Sequence, residues 1–203
     1  MDEYKPQLLV GPRYYDSKTG YKAVAINNGE YSLILPHVGN IWLLMTPQLD
    51  FYIVDTLSKL LADRIRPYHP DVIVGIASLG WEWASQVARL LGYQNYVPLS
   101  KTKKFWYDVY NAKQAQKAES ITSKRSKATF YLPPEVETRL VGQQVAVVDD
   151  VLCLGGSMGP ALRILEEVDC EVVVVGVVLT EGDAWQDVTH YPIESLGHIP
   201  VEE

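Results

Sequence analysis

Residues 145–165 contain the feature that most restricts the fold of this chain, because an apolar run leads through a tight turn into a helix pattern. The four apolar residues 145–148 are typical of a strand that is covered on both faces, as in a parallel sheet. The glycine pair at 155–156 allows the backbone to turn sharply. Ser157 can cap the next helix, and Pro160 is tolerated in its first turn. The segment therefore predicts one strand–turn–helix unit of a parallel α/β sheet.

Two adjacent acids, Asp149 and Asp150, follow the apolar run, where we expect the strand to end. Behind them, a helix that begins after a glycine-rich turn offers free N–H groups and a positive dipole end, which suit phosphate. Because carboxylates repel phosphate, the acids must contact another part of the same ligand, most simply a pair of sugar hydroxyls. The pattern predicts a site for a phosphorylated sugar, and the alternative is two solvated acids before an ordinary loop.

The same order of strand, acid pair, loop and helix resembles the 5-phosphoribosyl-1-pyrophosphate (PRPP) signature of the type I phosphoribosyltransferases. The resemblance implies that Asp149 and Asp150 hold the ribose 2′- and 3′-hydroxyls. It also implies that residues 153–157 cradle the 5′-phosphate, and these are Cys153, Leu154, Gly155, Gly156 and Ser157. Leu154 stands where the family usually has Thr, so one hydroxyl contact to the phosphate is missing while the backbone N–H groups remain.

A second turn, Ser78-Leu79-Gly80, is similar to the family's pyrophosphate loop. Many members have an Arg in this loop, and Leu79 cannot supply its charge. The resemblance therefore leaves Ser78 and backbone N–H groups to contact the pyrophosphate.

The segment 100–127 resembles the family's mobile lid, whose Lys or Arg residues grip pyrophosphate. Lys101 and Lys104 fit best, with Lys103 as a further candidate, and the aromatic residues of the segment are either latches or packing residues: Phe105, Trp106, Tyr107 and Tyr110. Eight basic residues lie between Lys101 and Lys127 against Asp108 and Glu119. Such a segment favours local binding of a polyanionic substrate, and the alternative is a solvated charge run.

Repeated strand and helix patterns predict an α/β fold with a mostly parallel twisted sheet and helices on both faces, plus a small hood. Asn-Gly at 28–29 between two β-prone runs predicts an N-terminal hairpin. We expect Thr46-Pro47 to open a helix that runs to Ile65. The predicted organisation is 1–45 as a hairpin in the hood, 46–182 as the core with its lid, and 183–203 as a tail that completes the hood.

The hood is where the family places its base-recognition groups. Glu181 and Asp183 could accept hydrogen bonds from a base, and Trp185 could stack on one, but a capped turn with a packed Trp is an alternative of nearly equal weight. Cys153 stands where one branch of 6-oxopurine enzymes carries an Asp proposed as general base, and a thiol replaces it poorly. The loop most resembles the adenine-type pattern, which favours a purine without fixing it.

Taken together, the resemblance implies transfer of the phosphoribosyl group of PRPP to a nucleobase, with release of pyrophosphate and with Mg²⁺ carried mainly by the substrate. The alternative is a non-catalytic PRPP-sensing regulator on the same fold. A net charge of −7, with only ten Lys or Arg outside residues 101–127, makes nucleic-acid binding an unfavoured function. No apolar run approaches the roughly 20 residues needed to cross a bilayer, and two cysteines form no metal-ligand pattern. We expect a cytoplasmic homodimer.

Overall fold

Five parallel strands form the central sheet of the computed structural model, which describes residues 7–11, 20–38, 41–102, 104, 118–119, 129–132 and 134–200. Within these ranges the strands are β1 Gln7–Val10, β2 Tyr21–Ile26, β3 Tyr31–Val38, β4 Ile41–Trp42, β5 Val72–Ile76, β6 Val97–Leu99, β7 Ala118–Glu119, β8 Thr129–Phe130, β9 Gln144–Leu152, β10 Glu171–Glu181 and β11 Ile193–Ile199. The α-helices are α1 Phe51–Ile65, α2 Gly80–Leu91, α3 Pro134–Glu137 and α4 Met158–Glu167. In the described part of the chain, short 3₁₀-helices span Thr46–Gln48, Arg66–Tyr68 and Ala184–Asp187.

The central sheet has the strand order β11-β10-β9-β5-β6, so β9 lies in its middle. Residues 145–148 of β9 are fully buried, as the apolar run predicts. One face packs on α1 and α2 through residues such as Leu57, Leu61 and Trp83. The other face packs on α4 through residues such as Ala161 and Leu165. The α/β fold class with helices on both faces is thereby confirmed.

Strand β9 runs further than the sequence indicates, because it continues through Asp149 and Asp150 to Leu152. The reason is its neighbour β10, which is eleven residues long and keeps pairing with β9 up to the contact between Thr180 and Leu152. The two acids therefore lie on the strand itself, at its carboxyl end, and not in the loop after it.

The predicted hairpin is present as β2 and β3, joined by a turn in which Asn27 and Asn28 have positive φ angles of 50° and 58°. Strand β1 pairs with the other edge of β3 to complete a small antiparallel sheet. This sheet is tied to the core, since the Asn27 N–H donates to the Leu196 carbonyl at 2.9 Å and an Arg64 N–H donates to Asn27 Oδ1 at 3.1 Å.

The C-terminal segment differs from the tail that the sequence indicates. Strand β11, Ile193–Ile199, pairs in parallel with β10 and forms an edge of the central sheet. Its Gly197 lies so close to the hairpin that a Cβ there would be 2.7 Å from the Ala25 carbonyl oxygen. This strand therefore links the hood to the core.

Thr46 does not cap the first long helix. Helix α1 begins at Phe51, and Thr46 instead opens the 3₁₀-helix Thr46–Gln48. Its hydroxyl oxygen accepts a hydrogen bond at 3.2 Å from the indole N–H of Trp83, which is fully buried. The Thr46 side chain therefore makes a tertiary hydrogen bond, and not the capping hydrogen bond that the local sequence pattern predicts.

None of the helices in the described ranges has both the length and the apolar character that crossing a membrane requires.

We expect Thr46→Val to lower the free energy of unfolding by about 1–3 kcal/mol, because it leaves the buried Trp83 N–H without an acceptor. Thr46→Ser keeps the hydroxyl and should cost less, and both are measured by urea denaturation. In a Trp83→Phe background the cost of Thr46→Val should shrink, since no indole N–H remains to be left unpaired. An undiminished cost in that background would contradict the role of this hydrogen bond.

Candidate active site

A cavity of about 280 Å³ opens at the carboxyl ends of β5 and β9. In parallel sheets ligands bind beyond this edge of the strands. The cavity brings together most of the site residues predicted from the sequence, and those that line it are Ser78, Leu79, Lys101, Asp149, Asp150, Cys153, Leu154, Gly155, Gly156 and Ser157.

The turn after β5 packs directly on the acid pair. A Cβ at Gly80 would lie 2.7 Å from Asp149 Oδ1 and 2.8 Å from the Val148 carbonyl oxygen, so only glycine fits there. The backbone N–H of Ala77 and the indole N–H of Trp81 both donate to the Leu99 carbonyl, at 3.1 and 3.0 Å. The Ala77–Ser78 peptide bond is cis. Gly80 therefore packs against Val148 and Asp149 of β9, whereas Ser78 and Leu79 line the cavity.

The two acids occupy different environments within the cavity wall. Asp149 is buried, with 7% of its surface exposed, and Asp150 is half-buried. The Asp150 N–H donates to Asp149 Oδ1 at 2.9 Å. Burial raises the pKa of both carboxyls, and the charge of Asp150 raises the pKa of Asp149 further, while the Lys101 ammonium acts in the opposite direction on both. The site therefore concentrates negative charge that a ligand or cation can compensate.

The loop between β9 and α4 has the geometry of an anion-binding turn. Gly155 has a φ of 68°, and a Cβ there would lie 2.6 Å from the Val188 side chain, so both backbone and space require glycine. Helix α4 then starts at Met158, so that the N-terminus of this helix lines the cavity. Leu154 is 76% exposed, which places its side chain at the surface and not in the core.

Ser157 differs from its predicted role as a helix cap, because its side chain makes no capping hydrogen bond. Its hydroxyl oxygen instead accepts a hydrogen bond at 2.8 Å from Lys101 Nζ. Lys104 is half-buried and does not line the cavity. Lys103 and the predicted aromatic latches at 105, 106, 107 and 110 lie outside the described residues.

A second cavity, of about 490 Å³, lies beside the first and shares Cys153 and Leu154 with it. Glu181 and Asp183 line this second cavity, as do His37, Ile41 and Trp42 from the hood. The His37 and Trp42 rings are in contact, with centroids 4.4 Å apart. Sequence reasoning missed His37 and Trp42, although their place at the end of the predicted hood hairpin is a signal that could have identified them.

Trp185 does not line the second cavity. It packs against the α4 side of the core, and its indole N–H is buried without a hydrogen-bond partner among the described residues. The packed Trp, which was the alternative at this position, is therefore what the structure contains. The aromatic surface of the cavity comes from Trp42 instead.

Cys153 forms part of the wall between the two cavities. Burial raises the pKa of its thiol, and the neighbouring Glu181 carboxylate raises it further through its charge and a hydrogen bond. The thiol is therefore neutral at physiological pH, and this position cannot act as a general base.

Asp149→Asn tests the electrostatic cost of the buried pair. Because burial raises the pKa of Asp149, the folded protein holds this proton more tightly than the unfolded chain does. The resulting stabilisation is present below the ordinary aspartate pKa of about 3.9 and is lost as the pH rises through the raised folded value. We expect Asp149→Asn to increase the free energy of unfolding of the ligand-free protein at neutral pH, and the increase to shrink as the pH falls through this window.

Chemical denaturation at a series of pH values measures the effect, with the exposed Asp55→Asn on α1 as the control. A variant that is no more stable than the wild type at neutral pH would contradict a net cost of burying this carboxylate.

The similarity of this chain to known proteins includes the edge of the sheet where the two cavities lie. The chain is 30% identical over 149 residues to the adenine phosphoribosyltransferase of Clostridium novyi, which covers 71% of this chain and 77% of the relative. It is 28% identical over 148 residues to the enzyme of the same name from Acidiphilium cryptum, which covers 66% of this chain and 78% of the relative.

Solved structures give the same fold at lower identity. The adenine phosphoribosyltransferase of Rhodothermus marinus DSM 4252 matches with a TM-score of 0.61 and 20% identity, covering 91% of this chain and 96% of that one. The Saccharomyces cerevisiae enzyme matches with a TM-score of 0.57 and 20% identity, covering 88% and 95%. The model of the phosphoribosyl transferase domain matches residues 49–201, which include both cavity-lining loops and the acid pair, and the chain therefore belongs to the phosphoribosyltransferase family.

Proposed function

We propose that this protein is a PRPP-dependent purine phosphoribosyltransferase, with adenine as its first candidate base. The observation that carries the proposal is the shared wall at Cys153 and Leu154. The first cavity contains the acid pair and the glycine turn proposed to bind phosphate, and it adjoins a second cavity with an aromatic residue and two acids. A ribose in the first cavity would present its C1 atom to a base in the second.

The relatives support the same activity. The curated proteins that match this chain are named adenine phosphoribosyltransferases. The matching Saccharomyces cerevisiae structure contains adenine together with a dideoxy-imino-altritol bisphosphate, a sugar-like bisphosphate. We propose that ligands of these two classes occupy the two adjoining cavities of this chain.

In the proposed mechanism, Asp149 and Asp150 hold the ribose hydroxyls, and the backbone N–H groups of residues 154–157 hold the 5′-phosphate. A ring nitrogen of the base forms a bond to C1 as the bond from C1 to the pyrophosphate oxygen breaks, and the proton that this nitrogen carried in the free base passes to solvent. The pyrophosphate leaves with the electron pair of that bond. Positive charge develops on the ribose during this exchange, and the two carboxylates lie in the wall beside it, where they stabilise that charge.

The acid pair also suits Mg²⁺, because it offers crowded carboxylate oxygens, and hard oxygens are the ligands that this ion prefers. Among the described residues there is no cluster of three or more His, Cys, Asp or Glu that could hold a metal ion by itself. We therefore propose that Asp149 and Asp150 contact Mg²⁺ together with substrate oxygens. The ion would neutralise charge on the departing pyrophosphate, and Ser78 would contact that group from the turn after β5.

The second cavity suits a base that donates hydrogen bonds. Glu181 and Asp183 supply acceptors, and an exocyclic amino group at the 6-position of a purine supplies donors. Adenine carries such an amino group, whereas a 6-oxopurine presents an acceptor at the same atom and would face carboxylate oxygens there. The neutral Cys153 thiol is consistent with this preference, since it offers no general base for an oxopurine.

We further propose a cytoplasmic homodimer. The start of α1 exposes Phe51 and Tyr52, at 86% and 57% of their surfaces, which is unusual for large apolar side chains. Phe51 borders an apolar cavity of about 330 Å³ that also contains Leu79 and Trp81, next to the proposed pyrophosphate turn. A second copy of the chain would cover this surface.

A panel of nucleobases, each incubated with PRPP and Mg²⁺, tests the proposed function through release of pyrophosphate. We expect turnover with adenine and little with hypoxanthine, guanine, uracil or orotate. Asp149→Asn with Asp150→Asn should reduce kcat/KM for PRPP by at least about 100-fold, because each carboxylate makes a charge-assisted hydrogen bond worth roughly 1.5–3 kcal/mol. Binding of PRPP without turnover of any base would instead support the PRPP-sensing regulator.

Glu181→Gln tests the base cavity. Loss of the charged acceptor should raise the KM for the purine about 5- to 10-fold, since a neutral acceptor is weaker by roughly 1 kcal/mol. The KM for PRPP should stay within about 2-fold, because Glu181 does not line the first cavity. The exposed Asp187→Asn, which lies outside both cavities, is the matched control. An increase confined to the KM for PRPP would place Glu181 at the sugar and not at the base.

A further inference from the structure

Lys101 is an exposed residue at the start of the basic segment, but it lies next to residues of the buried core. The preceding residue, Ser100, accepts a hydrogen bond at 2.8 Å from the Tyr131 N–H. The Lys101 ammonium lies 5.8 Å from the ring centroid of Phe130, which is fully buried. The position of this side chain therefore depends on β6 and on the residues around β8, and these belong to the ordered core.

The ammonium contacts the loop that is proposed to hold the 5′-phosphate. Lys101 Nζ donates to Ser157 Oγ at 2.8 Å, although the two residues are 56 positions apart in the chain. Among the described residues, Lys101 forms no ion pair with a carboxylate within 4.0 Å, and its charge reaches the acid pair only at longer range. Two of the three ammonium protons thus remain for a ligand in the cavity.

The loop that Lys101 contacts lacks one hydroxyl that the family usually has. Leu154 lacks the hydroxyl that the family usually places there, and its side chain is 76% exposed. Within the described part of the chain, Lys101 is the only cationic residue that lines the first cavity. A phosphate dianion in the loop would otherwise be held by the Ser157 hydroxyl, by neutral N–H groups and by the helix end.

We propose that Lys101 is a 5′-phosphate-binding residue that replaces the missing hydroxyl at position 154. This assignment rests on the proposed function and departs from the resemblance, which gives Lys101 to the pyrophosphate. Because Lys101 donates to Ser157 Oγ, the Ser157 O–H is directed away from the ammonium and is free to donate to the same phosphate. Lys101 and Ser157 then act as one unit on the phosphate.

The assignment has a kinetic consequence. Because the 5′-phosphate takes no part in bond breaking, we expect its contact with Lys101 to be equally strong in the bound substrate and in the transition state. Loss of such a contact raises KM and leaves kcat unchanged, whereas loss of a contact to departing pyrophosphate lowers kcat. Lys101→Met should therefore raise the KM for PRPP without lowering kcat.

Binding of two fragments separates the alternatives directly. Ribose 5-phosphate contains the 5′-phosphate alone, and pyrophosphate with Mg²⁺ contains the leaving group alone. We expect Lys101→Met to weaken ribose 5-phosphate binding by roughly 10- to 100-fold, the value of one hydrogen bond to a charged group, and to change pyrophosphate binding by less than about 2-fold. The exposed Lys59→Met on α1 removes the same charge far from the cavity and controls for net charge.

A second variant tests the replacement itself. Adding Leu154→Thr to Lys101→Met should recover part of the lost ribose 5-phosphate affinity, and its benefit should be smaller when Lys101 is present. Ser157→Ala and Lys101→Met together should weaken binding by less than the product of their separate effects, because they act as one unit. Thermal unfolding of each variant confirms that it is folded.

Three outcomes would overturn the inference. Loss of pyrophosphate affinity with unchanged ribose 5-phosphate affinity in Lys101→Met would assign Lys101 to the leaving group and leave the proposed function intact. A fall in kcat at constant KM for PRPP would do the same. Failure of the wild type to bind either PRPP or ribose 5-phosphate would remove the proposed function together with this inference.

Discussion

Burial of two adjacent carboxylates at the carboxyl end of the central strand is the constraint on which the rest of the site depends. Removing a charge from water is costly unless other groups compensate it. Before a ligand arrives, the described residues compensate Asp149 and Asp150 through the backbone N–H groups of Asp150 and Val151 and through the more distant Lys101 charge. A ligand that brings hydroxyl donors and a divalent cation relieves this cost. Part of the binding free energy therefore comes from removing an unfavourable interaction that is present in the ligand-free protein.

Much of the fold and of the candidate site could be predicted from sequence, because those features are local. The apolar run of β9, the acid pair and the glycine at 155 lie within a dozen residues, and each has a direct backbone or burial requirement. The Asn-Gly turn of the hairpin is local in the same sense.

The features that sequence reasoning did not reach are contacts between distant segments. Thr46 has a capping pattern, but its hydroxyl oxygen accepts a hydrogen bond from Trp83. Ser157 has the same pattern, but its hydroxyl oxygen accepts a hydrogen bond from Lys101. In both cases a hydrogen bond to a side chain from a distant segment replaces the local capping hydrogen bond to the backbone. The neighbouring residues contain no pattern that indicates this contact. Strand β11 is a similar case, since its place at the sheet edge depends on pairing with β10.

The hood is attached to the core at the edge of the central sheet. The Asn27 N–H is bonded to the Leu196 carbonyl, Arg64 donates to the same asparagine side chain, and Gly197 leaves no gap beneath the hairpin. In the proposed function, His37 and Trp42 of this hood would form one wall of the base cavity, opposite groups carried by the core. The choice of base would then depend on how the hood is seated on the sheet edge as well as on the residues that line the cavity.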